Sequence, residues 1–229
     1  MPINSYGETS IILIDTSRSL GLKFKIQRRF IGGSQVPEIF AKIPHERIGV
    51  LIGPNGETKR EIERALNVSL EIDSETGDVI ISLNENSDDP SILFRARDVV
   101  LAIGRGFSPQ RAFKLLQDED SMLTIIDLRE IFGRSKSDII RVKGRIIGKE
   151  GKTRKIIEEC TETYISVYGH TISIIGGVEG SEIAREAIMM LINGSQHATV
   201  YRFLQRKRHE LKRRRLELWE GRPLIPEKY

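Results

Sequence analysis

The chain has 229 residues, a net charge of +4 and an ordinary apolar content of 39%, with no run near the roughly 18 apolar residues that a membrane span needs. Its single cysteine, Cys160, excludes an internal disulfide and suits a reducing cytoplasm, and the first residues lack the basic-then-apolar pattern of a secretory signal. From Gln196 onward ten Lys/Arg stand against four Glu, an excess of +6 that leaves −2 for residues 1–195; a basic tail of this kind points to a polyanionic partner such as nucleic acid.

Residues 1–36 read as an appendage and linker without assigned function: Ile11-Ile12-Leu13-Ile14 and Leu22-Lys23-Phe24-Lys25-Ile26 as short strands, Gly32-Gly33-Ser34 as the linker. A strand over 38–43 follows, then a short helix begun by Pro44 and His45, a loop from Gly53 to Gly56, and a helix over 57–66 with Ile62, Ala65 and Leu66 on one face. Strands over 68–72 and 79–83 flank a turn containing Gly77, and Asp88-Asp89-Pro90-Ser91 caps a helix over 92–103 that ends at Gly104 and Gly106. Ser108-Pro109 opens a connecting helix through Leu116, closed by the acidic turn Asp118-Glu119-Asp120.

The same order then returns. A strand over 123–128 leads into a helical segment from Arg129, and a helix over 137–147 runs into Gly148-Lys149-Glu150-Gly151. A helix over 152–160, strands over 164–167 and 171–175, and a helix over 182–192 preceded by Gly180-Ser181 complete it. The two loops lie 95 residues apart, and each copy reads apolar triplet, Gly, two polar residues, Gly, helix. A glycine-flanked loop of this kind sets backbone N–H groups at the start of a helix, where the first turn has unpaired donors and partial positive charge, so phosphate collects there.

A strand–helix–helix–strand–strand–helix unit with Gly-x-x-Gly between its first two helices resembles the type I KH domain, over roughly residues 37–107 and 121–195. The implied fold class is α+β: two tandem KH domains (βααββα), each a three-stranded antiparallel sheet with helices on one face, joined by residues 108–120 and followed by a basic amphipathic helix in 196–229. KH domains clamp about four nucleotides of single-stranded nucleic acid, loop against backbone and bases in an apolar groove. Longer wording narrows the likeness. Ala102-Ile103-Gly104-Arg105-Gly106-Phe107, Gly144-Arg145-Ile146-Ile147-Gly148-Lys149-Glu150-Gly151-Lys152-Thr153 and Tyr164-Ile165-Ser166-Val167-Tyr168-Gly169 resemble the archaeal branch of the partner-of-Nob family of small-subunit rRNA-processing factors. That resemblance implies ribosome biogenesis: an RNA-binding protein that holds the 3′ end of small-subunit pre-ribosomal RNA while an endonuclease matures it, and that associates with the alpha subunit of an initiation factor.

Charge ranks the two loops. Between Arg141 and Glu159 seven basic residues (Arg141, Lys143, Arg145, Lys149, Lys152, Arg154, Lys155) face three glutamates, whereas His45 to Arg64 nets zero, with Arg47, Lys59, Arg60 and Arg64 against four glutamates. The expected RNA-binding residues are therefore Gly148, Lys149, Glu150, Gly151, Arg145, Lys152, Arg154 and Lys155, with Gly53, Pro54, Asn55, Gly56, Lys59 and Arg60 as the weaker set, Pro54 having no donor to offer. Three residues after the second glycine most KH domains place an apolar side chain; here Lys59 and Arg154 stand there, either as solvated helix face or as cations reaching the RNA. Ile62, Leu66, Leu70, Ile72, Ile157, Ile165 and Val167 belong to core or groove floor, and Tyr164 and Tyr168 to strand packing or base stacking. In the tail, Leu204, Leu211 and Leu218 repeat every seven residues, with Tyr201 and Trp219 nearby, to form an apolar stripe under a basic helix.

Catalysis is not expected. Gly151-Lys152-Thr153 ends like a P-loop, but that motif needs a glycine where Ile146 stands. The acidic clusters sit at helix ends and turns, and His45, His170, His197 and His209 lack zinc spacing, so no catalytic, metal or cofactor site is assigned. The alternative to RNA binding is a protein-interaction scaffold in which one KH copy no longer binds RNA; the neutral first loop favours it for that half.

Overall fold

In the computed structural model the chain divides into two compact units, Met1–Glu119 and Asp120–Tyr229. The structure describes residues 26–31, 34–84 and 89–219, and side-chain environments between 37 and 216 within those limits. The strand expected over 11–14 and the capping role of Asp88 lie outside the described residues.

The first unit runs β1 (Ile26–Ile31), β2 (Ser34–Lys42), α1 (His45–Ile52), α2 (Glu57–Leu66), β3 (Val68–Ile72), β4 (Asp78–Leu83), α3 (Ser91–Gly104), α4 (Pro109–Ala112) and α5 (Lys114–Gln117). The three strands of the βααββα unit are joined by a fourth. The antiparallel order is β1-β2-β4-β3, and β1 pairs from Ile26↔Ile39 to Ile31↔Ser34, so Ser34, read as linker, is the first residue of a strand. Alternation in β4 buries Val79, Ile81 and Leu83, and four-residue spacing in α2 buries Thr58, Ile62 and Leu66 beneath it. Of the residues assigned to core or groove floor, Leu70 is 1% exposed while Ile72 is half-buried. Asp89 caps α3 by accepting the Ser91 N–H at 2.8 Å. The connecting helix expected over 108–116 is two short helices meeting at Phe113, whose ψ of −11° turns the chain between them.

The second unit runs β5 (Ser121–Asp127), α6 (Leu128–Phe132), α7 (Lys136–Ile147), α8 (Lys152–Thr161), β6 (Tyr164–Tyr168), β7 (Thr171–Gly177), α9 (Val178–Ile192) and α10 (His197–Trp219), with antiparallel sheet order β5-β7-β6. Its core gathers Val142 and Ile146 of α7, Ile157 of α8, Ile165 of β6, Ile172 and Ile174 of β7 and Ala184, Ala187, Ile188 and Leu191 of α9. Val167 packs partly buried against it.

The sequence pattern places Gly180 just before a helix over 182–192, but α9 begins at Val178 and Gly180 lies inside it. A Cβ at this position would sit 2.3 Å from the Thr161 carbonyl oxygen, so the glycine serves close helix packing. In the first unit Gly104, at the end of α3, does the same against Ile43, whose Cγ2 would lie 2.6 Å from an added Cβ. The basic tail begins as part of the second unit: α10 packs on α8 and α9, burying Val200, Phe203 and Leu204 in the same core. Leu211 is half-buried, and the side chains of Leu218 and Trp219 lie outside the described residues.

Candidate nucleic-acid interface

Each Gly-x-x-Gly segment is a tight turn, over residues 53–56 in the first unit and 148–151 in the second, set between two α-helices. The two loops share one backbone path. Gly53 and Gly148 have φ/ψ of 74°/176° and 73°/177°, a region open essentially to glycine alone. A Cβ there would strike the hydroxyl of Thr58 (2.3 Å) or Thr153 (2.2 Å). Asn55 and Glu150 follow in the left-handed region at φ 51° and 54°, then Gly56 and Gly151, both at φ 76°. The last glycines are otherwise unconfined: the nearest atoms to an added Cβ are Arg60 Nε at 3.9 Å and a terminal nitrogen of Arg154 at 4.0 Å.

The glycines do not supply the anion donors. Gly148 N–H donates to Gly144 O (2.9 Å) and Gly151 N–H to Gly148 O (3.2 Å), with the same bonds at Gly53 (2.9 Å) and Gly56 (3.2 Å). In the first loop Pro54 has no amide hydrogen and the amides of Gly53 and Gly56 hold the turn itself closed. What the glycines provide is approach: Lys149 and Glu150 stand exposed at the tip, with no side chain on either flank.

Around the loops the cations divide by what they touch. In the second unit Arg145 donates to Ser195 O, Arg141 pairs with Asp138 at 3.0 Å, and Lys143 donates to Gly169 O at 2.8 Å. Lys149, Lys152 and Lys155 are exposed and form no ion pair among the described residues. In the first unit Arg47 holds the carbonyls of Ile103 (2.9 Å) and Phe107, Lys59 pairs with Glu63 at 3.7 Å, and Arg60 folds onto the carbonyls of Gly56 (3.2 Å) and Asn55. Three lysines at the second loop face a single comparable cation, exposed Arg64, at the first.

Sequence reasoning missed how α10 begins. His197 Nε2 lies 3.0 Å from Arg145 O, and the Thr153 hydroxyl 2.8 Å from Tyr201 Oη, so the helix is bonded to both flanks of the second loop. Tyr164 keeps 38% of its surface and Tyr168 is half-buried, so neither is strand core alone.

Two βααββα units in tandem, each with a Gly-x-x-Gly turn between its first helices, define a tandem KH protein. Family models agree: residues 122–209 match the eukaryotic type KH-domain (KH-domain type I), and residues 52–118 match the Krr1 KH1 domain. The chain is 47% identical to a KH domain-containing protein of Methanocaldococcus jannaschii, over 87% of this chain and 86% of that one. It is 50% identical to a chain in the crystal structure of an a/eIF2alpha–aDim2p–rRNA complex from Pyrococcus horikoshii, with a TM-score of 0.71, covering 76% of this chain and 94% of that one. It is 31% identical to the pre-rRNA-processing protein PNO1 of Debaryomyces hansenii, over 65% of this chain and 58% of that longer protein. The chain belongs to the PNO1/Dim2 family of KH-domain proteins.

Proposed function

We propose that this chain binds single-stranded RNA through its Gly-x-x-Gly turns, the second more strongly than the first, and holds the 3′ region of small-subunit pre-ribosomal RNA during ribosome maturation in the cytoplasm. The first KH domain spans 37–107 and the second 121–195. The observation that carries the ranking is the trio Lys149, Lys152 and Lys155, exposed without ion pairs among the described residues around a turn whose flanking glycines leave it open. Lys149, Glu150, Lys152 and Lys155 meet the backbone directly, Gly148 and Gly151 shape the turn, and Arg145 and Arg154 act beside it. Gly53, Pro54, Asn55, Gly56, Lys59 and Arg60 form the weaker counterpart. Binding, not catalysis, is the role.

Relatives support this reading: one is named as a pre-rRNA-processing protein, and one was crystallised with an initiation factor alpha subunit and rRNA. The alpha subunit and an rRNA endonuclease are the proposed protein partners. A scaffold role for the first unit is the second reading, favoured by the turning of Arg60 onto the loop's own carbonyls.

Fluorescence anisotropy on a short oligonucleotide copying the small-subunit 3′ end, with a scrambled control, tests the proposal. Lys149→Asp with Gly151→Asp is expected to abolish most binding and the matching first-loop change, Pro54→Asp with Gly56→Asp, to cost less; equal losses overturn the ranking. Wild-type affinity that does not weaken as salt rises overturns RNA clamping itself, because neutralised phosphates release counterions.

A further inference from the structure

The cations of α10 differ by the helix each one faces. On the side of α9, Lys207 pairs with Glu210 at 3.0 Å and Arg214 with Glu179 at 3.9 Å, and Glu182 and Glu186 line the same cleft. On the side of α8 the contacts are of another kind. Thr153, the second residue of α8, meets the Tyr201 hydroxyl at 2.8 Å, and Glu162, the residue after α8, accepts a terminal nitrogen of Arg215 on both oxygens, at 3.2 and 3.0 Å. Contacts at both ends make α8 and α10 run side by side in one direction, away from the second loop.

Tyr201, Arg208 and Arg215 stand seven residues apart, close to two helical turns, so Arg208 lies on the same line between the two contacts. The Cys160 thiol agrees with that placement: burial pushes it up, and the nearby charge of Arg208 draws it down. Lys212 follows one turn after Arg208 and borders the same line. Both are exposed, and neither forms an ion pair among the described residues. Exposed Glu159 is the one carboxylate of α8 left facing solvent along the way, since Glu158 is half-buried and Glu162, just beyond the helix, is held by Arg215. At the loop end the line meets Lys152, next to Thr153, and Lys149 at the tip. From Tyr201 to Lys212 the helix advances about 16 Å, so the cations form a tract that begins at the loop and leaves it.

We propose that the α8-facing edge of α10, through Arg208 and Lys212, is a further phosphate-binding tract that continues from Lys149 and Lys152 and takes the backbone of RNA flanking the nucleotides held in the second groove. This rests on the RNA-binding reading above. Continuity with the loop favours RNA over an acidic protein segment as the occupant. The tract carries charge without base selection, because long exposed cations reach phosphates and the Tyr201 hydroxyl is already engaged by Thr153.

The experiment measures anisotropy as a function of salt for the short oligonucleotide that copies the small-subunit 3′ end and for the same oligonucleotide extended by eight uridines at its 5′ or its 3′ end. Wild type is expected to bind one of the extended forms about tenfold more tightly at low salt, as two added phosphate contacts allow. Arg208→Gln with Lys212→Gln should reduce that gain to within about threefold and lower the salt slope by about 1.4, at about 0.7 for each single-strand phosphate, while affinity for the short form stays unchanged. Lys207→Gln with Arg214→Gln removes the same charge from the α9 side of the same helix and should keep most of the gain. Circular dichroism of both variants reports whether α10 stays folded, and the single changes Arg208→Gln and Lys212→Gln, each expected to lower the slope by about 0.7, keep the test open if the pair does not. Extended forms that bind no more tightly than the short one, or equal losses from the two pairs of changes, overturn the tract while leaving the loop reading intact. Loss of binding to the short form in K149D/G151D supports that underlying reading, and its absence overturns both.

Discussion

Thr153 Oγ1 and Tyr201 Oη lie 2.8 Å apart, although 48 residues separate them in the chain. The threonine is the second residue of α8, just after the second loop, and its hydroxyl also occupies the space that a side chain at Gly148 would need. One hydroxyl thus faces the loop's first glycine and the helix that carries the basic tail. Tyr201→Phe should cost about 1 kcal/mol, the net value of one hydrogen bond. Thr153→Val should cost a similar amount, and the double variant less than the two together, because neither hydroxyl is then left without its partner. Urea unfolding of the four proteins completes the cycle; strict additivity would show that the two groups do not interact.

The loop glycines should separate by position. Gly148→Ala combines a backbone region closed to other residues with a Cβ 2.2 Å from the Thr153 hydroxyl, and should lose about 2 to 4 kcal/mol of stability. Gly151→Ala meets no atom closer than 4.0 Å and carries only the left-handed penalty, about 1 kcal/mol. Thermal melting of both variants, with Gly53→Ala and Gly56→Ala beside them, should reproduce the same order in each unit. Equal melting shifts within a pair would contradict the conformational account.

Gly180→Ala sets helix propensity against packing. Alanine inside an exposed helix gains about 1 kcal/mol over glycine, but here its Cβ would stand 2.3 Å from the backbone oxygen of Thr161. The carbonyl cannot rotate away as a side chain could, so the expected outcome is net destabilisation, read as a lower melting temperature. A higher one would mean that α9 shifts freely on α8.

Two aspartates should titrate on opposite sides of the ordinary carboxylate value of 3.8. Asp73 accepts the Glu75 amide at 2.8 Å, the Thr76 hydroxyl at 2.8 Å and the Thr76 amide at 3.3 Å, and these bonds hold its carboxyl below the usual range. Its contribution to stability is therefore present above 3.8 and is lost as pH falls through the lower folded value. Burial pushes the Asp98 carboxyl up, against the pull of the Arg97 guanidinium at 2.9 Å. Its contribution is complete below 3.8 and is lost as pH rises through the higher folded value. Carboxyl-detected NMR titration reads both midpoints; the reverse order would contradict the assigned causes.

Local pattern carried much of the architecture. The helix over Glu57–Leu66 and the strand over Val68–Ile72 keep their expected bounds, since strong periodicity, a glycine before the helix and Asn67 after it state the element without help from elsewhere. Gly180 misled because glycine is the usual sign of a turn, and nothing nearby in the sequence shows that another chain segment presses against it. The tail offered Leu204 and Leu211 at seven-residue spacing, yet Val200 and Phe203, both buried, fall outside that repeat and became visible only when α10 met α8 and α9.

The sequence by itself determined the duplication, the position of both Gly-x-x-Gly turns and the excess of basic residues at the second, because each is a property of neighbours in the chain. Only the tertiary structure decided which cations bond carbonyls of the protein itself and which stand exposed. Arg47 and Arg145 count as charges in any sum over sequence, but Arg47 bonds the carbonyls of Ile103 and Phe107 and Arg145 that of Ser195, 50 to 60 residues away. Which partner a long side chain finds depends on distances through space, and these exist only after the chain has folded.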